Sequence, residues 1–211
     1  MTEEAVEETV RLADGLLERA PAAVGALMEA LVAVGILMAY VGNSRPASGS
    51  EHHLSHYFEI VGILRGEPYL AHGIDVCHSA IETAKLREKL LALKKIPTLP
   101  HRFDRKGYEA DISRVYTKVA DEVLALQEKM GWYEIDRMPI YREKWEEIRK
   151  ILHAAPSAAR MEELTQRIGL SHEVFMETYG EGKLAEARLY AKDLKDRYTV
   201  LWTYYDLLEF L

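Results

Sequence analysis

Between Pro21 and Gly42 the chain carries a single charge, Glu29, and sets Val24, Leu27, Leu31, Val34, Met38 and Val41 at three-and-four spacing. That spacing lines them along one side of a helix, and the other sides are almost as apolar. A helix of this kind needs cover all round. It is short for a membrane span, contains Glu29 and lacks anchoring flanks, so the expectation is a central core helix with no membrane-spanning segment.

The rest of the chain reads as further helices. Thr2 to Ala20 is charged and helix-favouring, and Pro21 suits the first turn of the helix that follows. Ile74 to Lys95 is rich in alanine and leucine. Its basic positions from Lys85 to Lys95 alternate with leucines, as on the solvated side of an amphipathic helix. Ile112, Val115, Val119, Val123, Leu126 and Met130 form a helical stripe closed by Gly131. Trp145, Ile148 and Leu152 mark a helix after Pro139. Pro156 and Ser157 open another that ends near Gly169, Ser171 caps the next, and Tyr198, Leu201, Tyr205 and Leu208 mark the last. No alternating strand precedes a glycine-rich turn, and Gly180-Glu-Gly182 is too isolated to be one. The fold class is therefore all-α, a single helical domain over 1–211 with a subdomain boundary near 96–107, where Pro97, Pro100 and Gly107 cluster.

The chemistry is concentrated in Gly42 to Glu59, which reads Gly-Asn-Ser-Arg-Pro-Ala-Ser-Gly-Ser-Glu-His-His-Leu-Ser-His-Tyr-Phe-Glu. Asn43, Ser44, Ser48 and Gly49 favour turns, and Pro46 biases Arg45 away from the helical region. Ser50 suits an N-cap, and Glu51 suits the positive end of a helix dipole. An anion near Ser48 to Ser50 would meet that helix end, with Arg45 available for bidentate bonding. His52 and His56 are one turn apart on one face, Glu59 continues that side, and His53 points away. A further pair, His72-Gly73, follows a turn containing Gly66, Glu67 and Pro68. Imidazoles from two adjacent helices suit a divalent transition metal, although an i, i+4 histidine pair also arises by chance.

Charge and cysteine content narrow the options. The 27 Lys and Arg against 34 Asp and Glu give a net charge of −7, which argues against general nucleic-acid or anionic-membrane binding. One cysteine, Cys77, rules out an internal disulfide and fits a reducing cytoplasm. Met1 leads into an acidic segment, so no secretory signal is expected.

The stretch Asn43 to Glu59, with Leu70-Ala-His-Gly73 and Asp196-Arg-Tyr-Thr-Val-Leu201, resembles the C-terminal helical domain of sn-glycerol-1-phosphate dehydrogenases, within the glycerol dehydrogenase, iron-containing alcohol dehydrogenase and dehydroquinate synthase superfamily. The resemblance implies that His52 and His72 are metal ligands, with zinc preferred and nickel or iron suiting the same donors. It implies that His56 assists proton movement and that Asn43, Ser44, Arg45 and Ser48 hold the phosphate of a small phosphorylated substrate. It also implies an NAD(P) cofactor, held by a dinucleotide-binding domain that precedes the helical one and that this chain lacks, as it lacks the third ligand, an aspartate. A separate nucleotide-binding domain or chain would have to supply the cofactor. Where the family continues with a lysine-valine-glycine pattern after the His-Gly pair, this chain has Ile74-Asp75-Val76-Cys77-His78. The expected function is the metal-binding catalytic half of such an oxidoreductase, inactive as an isolated chain. The alternative is a free-standing metal- or phosphoester-binding regulatory protein. Oligomeric state stays open, a homo-oligomer included.

Overall fold

The computed structural model describes residues 2–98 and 103–211. Eleven α-helices and no strand occur among them, as expected for an all-α chain. In order they are α1 (Thr2–Arg11), α2 (Ala13–Leu17), α3 (Pro21–Val41), α4 (Ser50–Arg65), α5 (His72–Ala92), α6 (Arg105–Tyr116), α7 (Ala120–Met130), α8 (Met138–Ala154), α9 (Ala158–Arg167), α10 (His172–Tyr190) and α11 (Val200–Leu207). Punctuating residues set most boundaries. Pro21 starts α3, Ser157 and Ser171 cap α9 and α10 through their hydroxyls, and Gly42, Gly66 and Gly131 end α3, α4 and α7 in the left-handed region.

The centre of the fold is α4, not α3. Leu54, Tyr57, Phe58 and Val61 of α4 are fully buried and meet Ile112, Val115 and Tyr116 of α6, Phe175 and Tyr179 of α10, and Leu201 of α11. Phe58 stacks on Tyr179 at 3.9 Å between centroids and meets Phe175 edge-on at 5.4 Å. Each such side chain contributes about 1.5–3 kcal/mol by leaving water. A second cluster joins Leu90 of α5, Ile96, Leu207 of α11, and Met138, Tyr141 and Trp145 of α8.

Helix α3 forms where the periodicity predicts it, but it is not a core helix. Ala23 is its one buried residue, while Met28, Leu31 and Ile36 stand 53–61% exposed. It packs on α1, α2 and the turn that follows it. Periodicity and apolarity report that a segment gains from cover; they do not say that this chain supplies it. By length and composition α3 is the one helix among the described residues that could cross a membrane.

Three smaller expectations also change. The stripe from Ile112 to Met130 runs through two helices, broken at Thr117, whose φ of 44° is unusual for a β-branched residue. Arg87, expected on a solvated face, is buried and donates to the Pro156 carbonyl. Ser50 is the first residue of α4, and Gly49 holds the cap position. The anticipated boundary near 96–107 falls partly on 99–102, outside the described residues.

Candidate functional site

At the N-terminus of α4 the carboxylate of its second residue, Glu51, folds back onto Gly49. Glu51 Oε1 accepts from the Gly49 N–H at 2.7 Å and holds His52 Nδ1 at 2.9 Å. Burial raises the Glu51 pKa, but the bonds from His52 and Gly49 outweigh it and leave the carboxyl below its usual range. Gly49 leaves room for this approach: a Cβ there would lie 2.8 Å from Glu51 Oε2 and displace the carboxylate.

One turn on, α4 presents His56, and the start of α5 brings His72 across. The three rings form a triangle, with centroids 6.2 Å apart for His52 and His56, 5.5 Å for His52 and His72, and 5.3 Å for His56 and His72. His72 Nδ1 lies 3.2 Å from Ser55 Oγ and 3.9 Å from Glu59 Oε2. His52 and His72 are thus each held from behind through Nδ1, leaving Nε2 for a ligand; this is how a protein orients an imidazole toward a metal. The donor set suits a divalent transition metal. It is incomplete, because no three His, Cys, Asp or Glu side chains among the described residues are gathered closely enough to hold one ion. His53 turns inward, fully buried, and its Nδ1 meets the Gly49 carbonyl at 2.7 Å.

Burial pushes the His56 pKa down to about 4, helped by the charges of Lys195, His72, His52 and Arg197, so its ring is neutral near pH 7. His56 faces a cleft of about 520 Å³ lined also by Ser44, Lys129, Lys195, Asp196 and Arg197. That volume suits a small molecule.

The loop before α4 is ordered by its own polar groups. Asn43 Oδ1 accepts from the Arg45 N–H at 2.9 Å, and Asn43 Nδ2 donates to the Val41 carbonyl at 3.3 Å. Of the loop candidates, Ser44 lines the cleft. Ser48 is buried behind it, where its hydroxyl accepts from Lys195 Nζ and its carbonyl from Arg197 Nη1, both at 3.0 Å. Asn43 and Arg45 are exposed, and Arg45 reaches the Asp196 carbonyl at 3.4 Å and its carboxylate at 3.6 Å.

Sequence reasoning missed Glu51 and Ser55 as the groups behind the histidines. Asp196 and Arg197, which the sequence offered only as part of the resemblance, fasten the loop and wall the cleft. The signal for the second pair was in the quoted Asp196-Arg-Tyr-Thr segment; what it touches lies some 150 positions earlier. In the departing segment after His72, Asp75 is buried. It accepts from the Tyr179 hydroxyl at 2.9 Å, and burial, reinforced by the Glu59 charge, raises its pKa to about 7 despite that bond. No strand or dinucleotide turn occurs among the described residues, so they do not fit an NAD(P) site.

No family model matches the chain, and no solved structure does either. Curated proteins do. A glycerol-1-phosphate dehydrogenase [NAD(P)+] of Bacillus licheniformis is 34% identical over 91 residues, and one of Halalkalibacterium halodurans is 37% identical over 98. This chain resembles glycerol-1-phosphate dehydrogenases. A third such protein, from Geobacillus thermodenitrificans, is 27% identical over 143 residues, 68% of this chain. The matches to the first two take in 43% and 46% of this chain. They make up 23%, 24% and 28% of the relatives' own lengths, so the likeness is to about a quarter of each. The all-α fold accords with the C-terminal helical domain of such enzymes.

Proposed function

We propose that this chain carries the metal- and substrate-binding side of a glycerol-1-phosphate dehydrogenase-like oxidoreductase, interconverting dihydroxyacetone phosphate and glycerol 1-phosphate. The observation that carries it is the gathering of His52, His56 and His72 at the head of a small cationic cleft, with two of the rings oriented from behind. His52 and His72 would hold a divalent metal, zinc in preference to nickel or iron. Such an ion supplies Lewis-acid polarisation of a carbonyl oxygen. Glu51 and Ser55 fix the tautomers of the two ligands. His56, neutral and at the cleft wall, is placed to give or take the proton of the substrate hydroxyl. The loop of Asn43, Ser44, Arg45 and Ser48 frames the phosphate end, through Ser44 directly and through the packing of Ser48 against Lys195 and Arg197.

The described residues do not fit a nicotinamide cofactor, so hydride exchange is assigned to a separate nucleotide-binding domain or chain. The lone cysteine fits a reducing cytoplasm. Elemental analysis of the chain purified without a histidine tag or chelator tests the reading. Near-stoichiometric zinc, nickel or iron that disappears in His52→Ala and His72→Ala is expected; folded protein without metal overturns it.

The incomplete donor set beside a cationic cleft favours a second reading, a metal- or phosphoester-binding regulator. Turnover of glycerol 1-phosphate with NAD or NADP, by the chain alone or with a nucleotide-binding partner, separates the two.

A further inference from the structure

Lys195 and Arg197 form a pair of cations whose hydrogen bonds go to neutral groups and to no carboxylate. Lys195 Nζ donates to the neutral Ser48 hydroxyl, and Arg197 Nη1 to the Ser48 carbonyl. The nearest carboxylate, Asp196, lies 3.9 Å from Arg197 and is also approached by Arg45 on its exposed side. Arg197 is only 15% exposed, and its Nε is buried with no hydrogen-bond partner. Burial lowers the Lys195 pKa, and the Arg197 charge lowers it further against the opposing pull of Glu51. Both side chains line the cleft that holds His56, and Lys129 faces the same space from the end of α7. Three cations and one carboxylate therefore surround a volume large enough for a small molecule. Like charges held together with a single carboxylate to offset three cations favour an anion between them. Arg45 is 56% exposed and tethered to Asp196, so it is less well placed.

We infer that Lys195 and Arg197, more than Arg45, receive the phosphate of a small phosphomonoester, with Lys129 in the same cleft and the ester's carbon end at His56. The inference rests on the proposed function for which end of the substrate reacts; the anion site itself stands on the cleft. A phosphomonoester dianion brings negative charge to a cleft where cations outnumber the carboxylate, and an ammonium beside a guanidinium can bond several of its oxygens. A dinucleotide presents the same phosphate chemistry, so the two sources must be compared directly.

The test is calorimetric titration of the full chain, as purified with its metal, with inorganic phosphate, glycerol 1-phosphate, glycerol and NADP. Phosphate and glycerol 1-phosphate are expected to bind and glycerol not to. Lys195→Gln should weaken glycerol 1-phosphate about tenfold or more, as expected for loss of a charge-assisted bond. Lys195→Arg should recover most of it, Arg45→Ala should cost less than Lys195→Gln, and Lys144→Gln, a distant surface charge change, controls for overall charge. Circular dichroism establishes that each variant is folded. Unchanged affinity in Lys195→Gln, a larger loss in Arg45→Ala, or binding of NADP but not glycerol 1-phosphate overturns the inference. Metal content of the same samples separates the two claims: metal retained without anion binding defeats this inference alone, whereas anion binding without metal defeats the catalytic reading and leaves the anion site standing.

Discussion

The fold holds two groups of histidines: His52, His56 and His72 beside the cleft, and His78 with His172 between α5 and α10. Both bring rings within about 5–6 Å of one another. In the second group both ring nitrogens of His172 are taken up from within. His172 Nδ1 lies 3.2 Å from His78 Nδ1, and its Nε2 lies 3.1 Å from Glu82 Oε1. Lys85 and Arg188 close on the same buried carboxylate at 2.9 and 2.8 Å. In the first group a carboxylate and a hydroxyl stand behind His52 and His72, and the third ring, His56, faces a cleft wall that is mostly cationic. Residue type and proximity are alike in both. What separates a candidate site from a structural network is the side on which the partners stand.

The largest effect that would break this contrast is on metal content. His52→Ala or His72→Ala should abolish it, while His172→Ala should leave it unchanged by elemental analysis; metal lost with His172 would mean that the two groups had been assigned the wrong way round. Next, Glu82→Ala leaves Lys85, Arg188 and His172 facing one another in a buried site. It should cost about 3–5 kcal/mol in chemical denaturation. The third effect is on affinity: Glu51→Gln weakens the hold on His52 and should reduce metal affinity about tenfold in a competition titration. Ser55→Ala should do the same to His72 more mildly, within a few-fold, because a neutral hydroxyl is a weaker partner than a carboxylate.

Acid sharpens the comparison further. Burial works against ionised Glu82, but His172, Arg188 and Lys85 outweigh it and hold its pKa down to about 2 from an ordinary 4.5. A depressed carboxyl stabilises the fold fully above the unfolded value and loses that contribution as pH falls from about 4.5 through about 2. Stability measured across that window should therefore fall more steeply in the unaltered chain than in Glu82→Gln.

Much of the fold could be read from punctuation. Pro21, Gly42, Gly131, Ser157 and Ser171 mark helix ends because each has a backbone or capping property that acts within a few residues. The break at Thr117 had no such mark, and the apolar stripe runs straight through it. The surroundings of α3 were hidden for another reason: a stripe shows what a helix would gain from cover and says nothing of what lies beside it. At the candidate site the His52 and His56 pair follows from helix geometry, and His72 from the short turn between adjacent helices. Lys195 and Arg197 could not be found in that way, because their contact with Ser48 is made by the folding of the whole domain.

The bare flank of α3 gives the molecule the surface chemistry of an amphiphile. Val24, Met28, Leu31, Val32, Ile36 and Tyr40 are left uncovered by the other described residues of a chain of net charge −7, so charge repulsion and apolar attraction oppose each other when two copies of it meet in solution. Raising ionic strength screens the first and strengthens the second. The chain should therefore be retained strongly on a phenyl column in ammonium sulfate and scatter more light as salt rises. Ile36→Glu should elute earlier while melting at nearly the same temperature.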